Sequence, residues 1–131
     1  MRLNAQAIRI LKRNAGLTLT QWRVIALLAG TDCKNSSDIE RQIGMDKGQL
    51  SRTIRGLADA GYVKFKTDAK DHRKSNLKLT AKAQKIYDQT LPLMRNRQSS
   101  LLAHLDETEI KAIYSALEKL ERAAQLSEDE L

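Results

Sequence analysis

Apolar residues recur at helical spacing through most of the chain, and they alternate with polar residues over one short stretch. The helical spacing predicts six helices: 3–14, 19–29, 37–43, 47–60, 81–104, and a last one that starts at Asp106 or Thr108 and runs to about Ala124. From Val63 to Leu79 the period shortens to two, which predicts two strands joined by a charged turn. The pattern therefore predicts a mainly α protein with a small β-hairpin.

Polar residues that start helices support these boundaries. A capping box places an acceptor side chain just before a helix and a Glu or Gln three residues later. Three pairs fit this spacing: Thr18 with Gln21, Ser37 with Glu40, and Asp46 with Gln49. Gly44 separates the last two helices of this set, where a left-handed residue is expected.

The order of capped helix, glycine turn, capped helix and hairpin predicts a winged helix-turn-helix at residues 18–80. Residues 1–17 and 81–131 then form helices outside this lobe. The fold class expected is a winged helix-turn-helix with N- and C-terminal dimerisation helices, the hairpin being the wing.

The helix after Asp46 separates its residues into two faces when they are placed 100° apart. Leu50, Ile54 and Leu57 share one face, which we expect to be buried. The opposite face carries groups that pair with bases: Arg with guanine, Gln with adenine, and Ser with a base or a phosphate. With polar neighbours, the predicted DNA-binding residues here are Ser36, Ser37, Lys47, Gln49, Ser51, Arg52 and Arg55. The alternative is an ordinary solvated face.

Two glycines, Gly48 and Gly56, flank Arg52 one turn away on each side. Glycine inside a helix costs about 1 kcal/mol relative to alanine. We interpret both glycines as permitting close approach of the helix backbone to DNA. The alternative is that these positions are solvent-exposed and tolerate any small residue.

The turn between the strands carries a cluster of charges at residues 68–74. A basic turn that projects from a hairpin suits entry into the minor groove, where negative potential is concentrated. Arg73 is the best candidate for insertion, and Asp71 is predicted to orient it. The full predicted set in the wing is Lys70, Asp71, His72, Arg73 and Lys74. The alternative is an ordinary charged turn.

Charge is unevenly distributed along the 131 residues, whose formal net charge is +7. Residues 1–30 hold five basic and no acidic groups, and residues 31–80 hold eleven basic and seven acidic groups. Residues 81–131 hold seven basic and nine acidic groups. The positive charge thus accompanies the predicted winged lobe, which favours a polyanionic partner.

Apolar stripes in the first and last helices have little else in one chain to cover them. They argue for a helical interface between two copies of the chain. The residues predicted to form it are Leu3, Ala7, Ile10, Leu11, Leu101, Leu105, Ile110, Ile113, Tyr114, Leu117 and Leu120. The alternative is that these stripes pack on their own winged lobe.

Several short segments, in this order, resemble the MarR family of bacterial transcription regulators. They are Leu17-Thr18-Leu19-Thr20-Gln21, Ser37-Asp38-Ile39-Glu40, Gly61-Tyr62-Val63, Asp71-His72-Arg73 and Leu79-Thr80. The most specific part is the wing, in which Asp-x-Arg precedes a strand that ends in Leu-Thr. The chain departs from the pattern at Ala83, where the family often has glycine.

The resemblance implies a homodimer that binds a palindromic operator in double-stranded DNA, and it favours a repressor. Many members of that family release DNA on binding a small, often aromatic, anion, so such an effector is expected here. A cytoplasmic location at the bacterial nucleoid is also expected. The ligand-binding residues stay open.

Other functions find little support in the residues. We expect no enzyme, because no nucleophile motif, phosphate loop or pair of catalytic carboxylates is recognisable. Two isolated histidines predict no metal site, no cofactor is expected, and no membrane span is predicted. The one cysteine, Cys33, lies in a polar loop, where a redox role is not favoured. A non-specific, chromatin-like nucleic-acid binder is the main alternative, followed by a winged fold that binds only protein.

Overall fold

The computed structural model describes residues 2–67 and 75–125, which form six helices and one antiparallel hairpin. The helices are α1 (Arg2–Asn14), α2 (Leu19–Gly30), α3 (Ser36–Ile43), α4 (Lys47–Asp59), α5 (Ala81–Leu102) and α6 (Glu107–Ala124). The strands are β1 (Val63–Thr67) and β2 (Ser75–Leu79). The predicted fold class, mainly α with a small hairpin wing, is confirmed. None of the helices in these two ranges is long and apolar enough to cross a bilayer.

Side-chain caps begin two of the helices in the winged lobe as predicted. At the start of α2, the Gln21 amide donates to Thr18 Oγ1 at 3.1 Å, and the Thr18 amide donates to Gln21 Oε1 at 3.0 Å. At the start of α4, the Gln49 amide donates to Asp46 Oδ1 at 2.9 Å. These bonds satisfy backbone donors that have no partner inside the helix.

The start of α3 differs from the prediction. Asn35 caps this helix, because its Oδ1 accepts from the Asp38 amide at 2.9 Å. The predicted cap, Ser37, instead lies inside the helix, and Ser36 is its first residue. Asparagine caps a helix as well as serine does, and here it precedes both serines. Ser36 and Ser37 are therefore exposed residues of the first turn.

The turn between α3 and α4 is made possible by Gly44. Its φ of 68° and ψ of 27° place it in the left-handed region, and its amide donates to the Glu40 carbonyl at 3.0 Å. Glycine adopts this conformation without the steric cost that a Cβ would impose. This turn sets α4 at its angle to α3, as expected for a helix-turn-helix.

The hairpin pairs Val63 with Leu79 and Phe65 with Leu77. On the other side of β2, the Leu77 amide donates to the Lys34 carbonyl at 2.6 Å. The loop between α2 and α3 therefore continues the hairpin by one backbone hydrogen bond. β2 therefore lies between β1 and this loop.

The chain divides into two compact units, Met1–Met94 and Arg95–Leu131. The first unit has a continuous apolar core to which α1, α2, α3, α4 and both strands contribute. Its buried members are Leu11, Leu17, Trp22, Val24, Ile25, Ile39, Leu50, Ile54, Leu57, Val63 and Leu77. In the second unit, α6 has no buried residue along its length.

The start of α5 is fastened to the loop after α4. Thr80 Oγ1 donates to the Gly61 carbonyl at 2.7 Å and accepts from the Ala83 amide at 3.2 Å. Thr80 is thus the predicted cap of α5 and also a link to the end of the helix-turn-helix. Ala83, the position that departs from the family pattern, is fully buried.

Candidate nucleic-acid interface

The two faces of α4 are as the helical spacing predicts. Leu50, Ile54 and Leu57 are buried in the core of the first unit. The five predicted DNA-binding residues of this helix are all exposed: Lys47, Gln49, Ser51, Arg52 and Arg55. The buried face fixes the orientation of the helix, so the exposed face presents three cations and two hydrogen-bonding side chains together. Cations and hydrogen-bonding side chains of these types contact phosphates and base edges.

Gly48 lies between the cap of α4 and Arg52. A Cβ placed on Gly48 would lie 3.3 Å from Asp46 Oδ1 and 3.4 Å from Arg52 Nη1. The guanidinium of Arg52 therefore extends back over Gly48, in space that any larger residue would restrict. Because Gly48 has no side chain, the Arg52 side chain has space on the exposed face of α4. This is a second role for Gly48, beside the predicted close approach of the helix backbone to DNA.

Gly56 has a different environment from the one predicted. It is half-buried, and an added Cβ would lie 3.9 Å from Gln21 Nε2 at the start of α2. Gly56 thus lies beside α2 instead of pointing freely outward with Arg52. The helical angle alone did not include this neighbour, and the role of Gly56 in close approach to DNA stays a prediction.

A groove of about 320 Å³ joins α4 to α3 and β1. Ser36 and Ser37 line it from the first turn of α3. From α4 and β1 the lining residues are Lys47, Leu50, Ser51, Ile54, Arg55 and Phe65, and Glu40 completes it from α3. Five of the seven predicted residues outside the wing are therefore brought together in one groove. Gln49 and Arg52 lie on α4 outside this lining.

Two members of the groove were missed from the sequence. Phe65 lies on the same face of β1 as the buried Val63, yet it is 59 % exposed. Glu40 was expected to complete a helix cap and instead lines the groove. Only the limited depth of the core behind the hairpin distinguishes Phe65 from Val63, and the strand pattern does not contain that information.

Asp38, in the first turn of α3, binds the loop that precedes this helix. Its Oδ2 accepts from the Lys34 amide at 3.0 Å, and its Oδ1 pairs with the Arg41 guanidinium. The backbone hydrogen bond from Lys34 is the main cause that holds the pKa of Asp38 below its ordinary value, and Arg41 adds to it. Asp38 thereby fixes the loop that leads to Ser36 and Ser37.

The predicted residues of the wing tip, Lys70, Asp71, His72, Arg73 and Lys74, lie outside the described residues. The two strands that carry this tip are described. Their antiparallel register runs from the Val63–Leu79 pair to the Thr67–Ser75 pair.

Comparison with known families agrees with this arrangement. The family model described as "MarR family" matches residues 15–74, from the end of α1 to the end of the wing turn. The match covers slightly less than half of the 131 residues, so the chain is similar to the MarR family over this segment.

Two curated transcriptional regulators are similar to part of this chain. The regulator BilQ of Clostridium symbiosum is 26 % identical over 83 residues, which are 63 % of this chain and 58 % of the relative. The regulator FarR of Neisseria gonorrhoeae is 31 % identical over 81 residues, 62 % of this chain and 56 % of the relative. The chain thus spans little more than half the length of the curated relatives it matches.

Solved structures extend the likeness of fold to nearly the whole chain. The Staphylococcus aureus MepR–DNA complex has a TM-score of 0.85 and 20 % identity, over 95 % of this chain and 89 % of that one. At this identity the comparison establishes the shared fold.

The apolar residues predicted to join two copies of this chain differ in exposure. Large apolar side chains are exposed along α6 and at the start of α1: Leu3, Ile113, Tyr114, Leu117 and Leu120. Leu101, Leu105, Ile110 and Ile10 are half-buried. Ala7 and Leu11 are buried within the single chain, and Leu11 belongs to the core of the first unit.

The prediction that Ala7 and Leu11 contact a second chain is therefore corrected. The spacing along α1 identified an apolar stripe but not which residues cover it. Ile8, which was not predicted, is an exposed apolar residue of this helix.

Proposed function

We propose that this protein is a sequence-specific DNA-binding transcription regulator, a repressor that binds a palindromic operator as a homodimer. The observation that carries the proposal is the division of α4 into a buried face and an exposed face. Arg52 and Arg55 lie on the exposed face, and Leu50 anchors the opposite one. The structurally similar MepR of Staphylococcus aureus forms a complex with DNA, which supports the same use of this lobe.

Homodimer formation is supported by the second unit. The exposed side chains of Ile113, Tyr114, Leu117 and Leu120 lie on one side of α6, because Leu117 follows Ile113 by four residues and Tyr114 by three, and Leu120 follows Leu117 by three. A contiguous apolar stripe in water is unfavourable, and such patches commonly mark protein interfaces. In a twofold dimer, each chain would present one α4 to one half-site of a palindrome.

A second cavity in the first unit supports the proposal that a small-molecule effector regulates DNA binding. It has a volume of about 510 Å³ and is lined by α2 and the end of α3, including Trp22, Arg23 and Ile43. An indole beside a guanidinium suits a small aromatic anion, which the arginine can pair with. A location at the cytoplasmic nucleoid and the absence of enzymatic activity complete the proposal.

The specificity of DNA binding tests this proposal against the non-specific alternative. Duplexes are selected by the wild-type protein from a random-sequence pool, and their affinity is compared with that of the unselected pool at one salt concentration. A regulator should prefer selected palindromes by a factor of about 10³ or more. Equal affinity for both would identify a non-specific binder.

The Arg52→Ala variant tests the assignment of the reading face. We expect it to lose roughly 1–3 kcal/mol of binding to the selected duplex, because a bidentate base contact is worth that much. It should also tolerate base changes at one position of each half-site. Wild-type affinity and specificity in this variant would show that α4 does not read the bases with Arg52.

A further inference from the structure

Phe65 is an aromatic side chain on the inward face of the hairpin that the core does not cover. It lies opposite Leu77 in the antiparallel pair, so both side chains project from the same face. Leu77 is 6 % exposed, whereas Phe65 is 59 % exposed. The core therefore ends between these two residues, and the ring of Phe65 extends beyond it.

The ring borders the groove between α3 and α4, where the other lining groups are of two kinds. Ser36, Ser37, Lys47 and Arg55 supply hydrogen-bond donors, two of them charged. The groove also includes the first turns of α3 and α4, where backbone amides and the helix dipoles favour an anion. One side of the groove is thus suited to an anion, and the Phe65 side is suited to an apolar group.

We propose that this groove binds one nucleotide of the DNA backbone, with Phe65 packed against its deoxyribose. The phosphate would lie among the serine hydroxyls, Lys47 and Arg55, and the C–H face of the attached sugar would cover the ring. This inference rests on the proposed function, since it assigns a new contact within the same interface. The Phe65 contact is apolar, whereas the other proposed contacts of this groove with DNA are polar or charged.

Glu40 is the acidic member of the groove lining. Its carboxylate repels a phosphate, and Lys47 and Arg55 provide two positive charges against its one negative charge. Removal of this charge should therefore strengthen DNA binding. Glu40→Gln keeps the size of the side chain and changes only its charge, so it reports whether a phosphate lies in the groove.

A contact with deoxyribose has two measurable properties. Every nucleotide has this sugar, so Phe65 should contribute equally to binding of selected and random duplexes. The ring carries no charge, so its removal should leave the dependence of affinity on salt unchanged. Lys47→Ala, by contrast, should reduce the slope of log affinity against log salt by about one for each lost phosphate contact.

The experiment measures fluorescence anisotropy of wild type, Phe65→Ala, Phe65→Leu and Glu40→Gln. Each protein is titrated with a duplex selected by the wild type and with a random duplex, at several KCl concentrations. We expect Phe65→Ala to bind both duplexes roughly tenfold more weakly, with an unchanged salt slope. Phe65→Leu should recover most of this loss, and Glu40→Gln should bind both duplexes about two- to fivefold more tightly.

Several results would overturn the inference. Wild-type affinity of Phe65→Ala would remove Phe65 from the interface, and weaker binding of the selected duplex alone would indicate a base contact in place of the sugar. Unchanged or weaker binding by Glu40→Gln would show that no phosphate lies in the groove. Thermal unfolding of each variant controls for folding, which Phe65→Ala should alter little because the ring is largely exposed. Wild-type protein that binds neither duplex would instead overturn the proposed function, and this inference with it.

Discussion

Lys82 Nζ donates a hydrogen bond to the carbonyl oxygen of Ala60 at 2.7 Å. Ala60 ends α4, where carbonyl groups lack partners within the helix and the helix dipole is negative. The same ammonium group lies 4.5 Å from the centre of the Tyr62 ring. One cation on α5 therefore stabilises both the end of α4 and the residue that leads into β1.

Replacement of Lys82 by methionine should loosen this connection. Methionine keeps most of the apolar stem but removes the donor and its charge, so we expect a loss of about 1 kcal/mol in the free energy of unfolding. DNA affinity should also fall, because the end of α4 is less firmly held. Urea unfolding and anisotropy titration measure the two effects. Lys85→Met, at another exposed lysine of α5, is the matched control and should change both quantities less.

The two glycines of α4 provide a matched pair of variants. Gly48→Ala would place a methyl group beside Asp46 Oδ1 and Arg52 Nη1, whereas Gly56→Ala would have ordinary van der Waals space near Gln21. Gly56→Ala should stabilise the protein by up to about 1 kcal/mol through helix propensity, and DNA affinity should be retained. Gly48→Ala should gain less stability and bind DNA more weakly, because the Arg52 guanidinium has to move. If Gly56→Ala reduced DNA affinity as much as Gly48→Ala, the position of Gly56 beside α2 would not explain its role.

Asp38 should make the stability of the winged lobe depend on acid pH. Its pKa in the folded protein is lowered from the ordinary value of 3.8, mainly by the hydrogen bond from the Lys34 amide. The ionised form therefore stabilises the fold fully above pH 3.8, and this contribution is lost as the pH falls through the lower folded-state pKa. Relative to Asp38→Asn, wild type should be more stable by about 1 kcal/mol at pH 7.

Thermal unfolding of these two proteins between pH 7 and about pH 2.5 measures the effect. The difference in melting temperature should narrow as the pH falls. A difference that stays constant through this range would show that the carboxylate charge of Asp38 is not responsible.

The exposed face of α6 predicts the effect of a charge on assembly. Leu117→Glu places a carboxylate in the apolar stripe, and burying it between two chains would be costly. We expect the variant to be monomeric at micromolar concentration and to bind the palindrome much more weakly. Light scattering after size exclusion measures its mass. Ser115→Glu, on the opposite side of the same helix, should remain dimeric, and a dimeric Leu117→Glu would place the interface elsewhere.

Features determined by neighbours in the sequence were predicted well. The caps at Thr18 and Asp46 are hydrogen bonds that span three residues, so the residue types and their spacing are sufficient to identify them. The same is true of the left-handed turn at Gly44. The predicted cap of α3, Ser37, was wrong: Asn35, Ser36 and Ser37 are all capable caps, and the choice among them depends on how the preceding loop is held.

Features determined by distant parts of the chain were predicted less well. The alternation in β1 identified the face of Phe65 but not the point at which the core behind it ends. The apolar stripe in α1 predicted that Leu11 is buried, but Leu11 packs in the core of its own chain and not against a second chain. Gly56 was assigned to the outward face because the helical angle does not report the nearby Gln21. In each case the missing information is the position of another element.

The hydrogen bond between the Leu77 amide and the Lys34 carbonyl links two parts of the interface mechanically. β2 leads out of the wing, and Lys34 precedes the cap of α3 by one residue. A tilt of the wing would therefore pull on the loop that positions Ser36 and Ser37. The two strands and the first turn of α3 should therefore be displaced together. When the hairpin shifts against one stretch of DNA backbone, the positions of Ser36 and Ser37 relative to another stretch should shift with it.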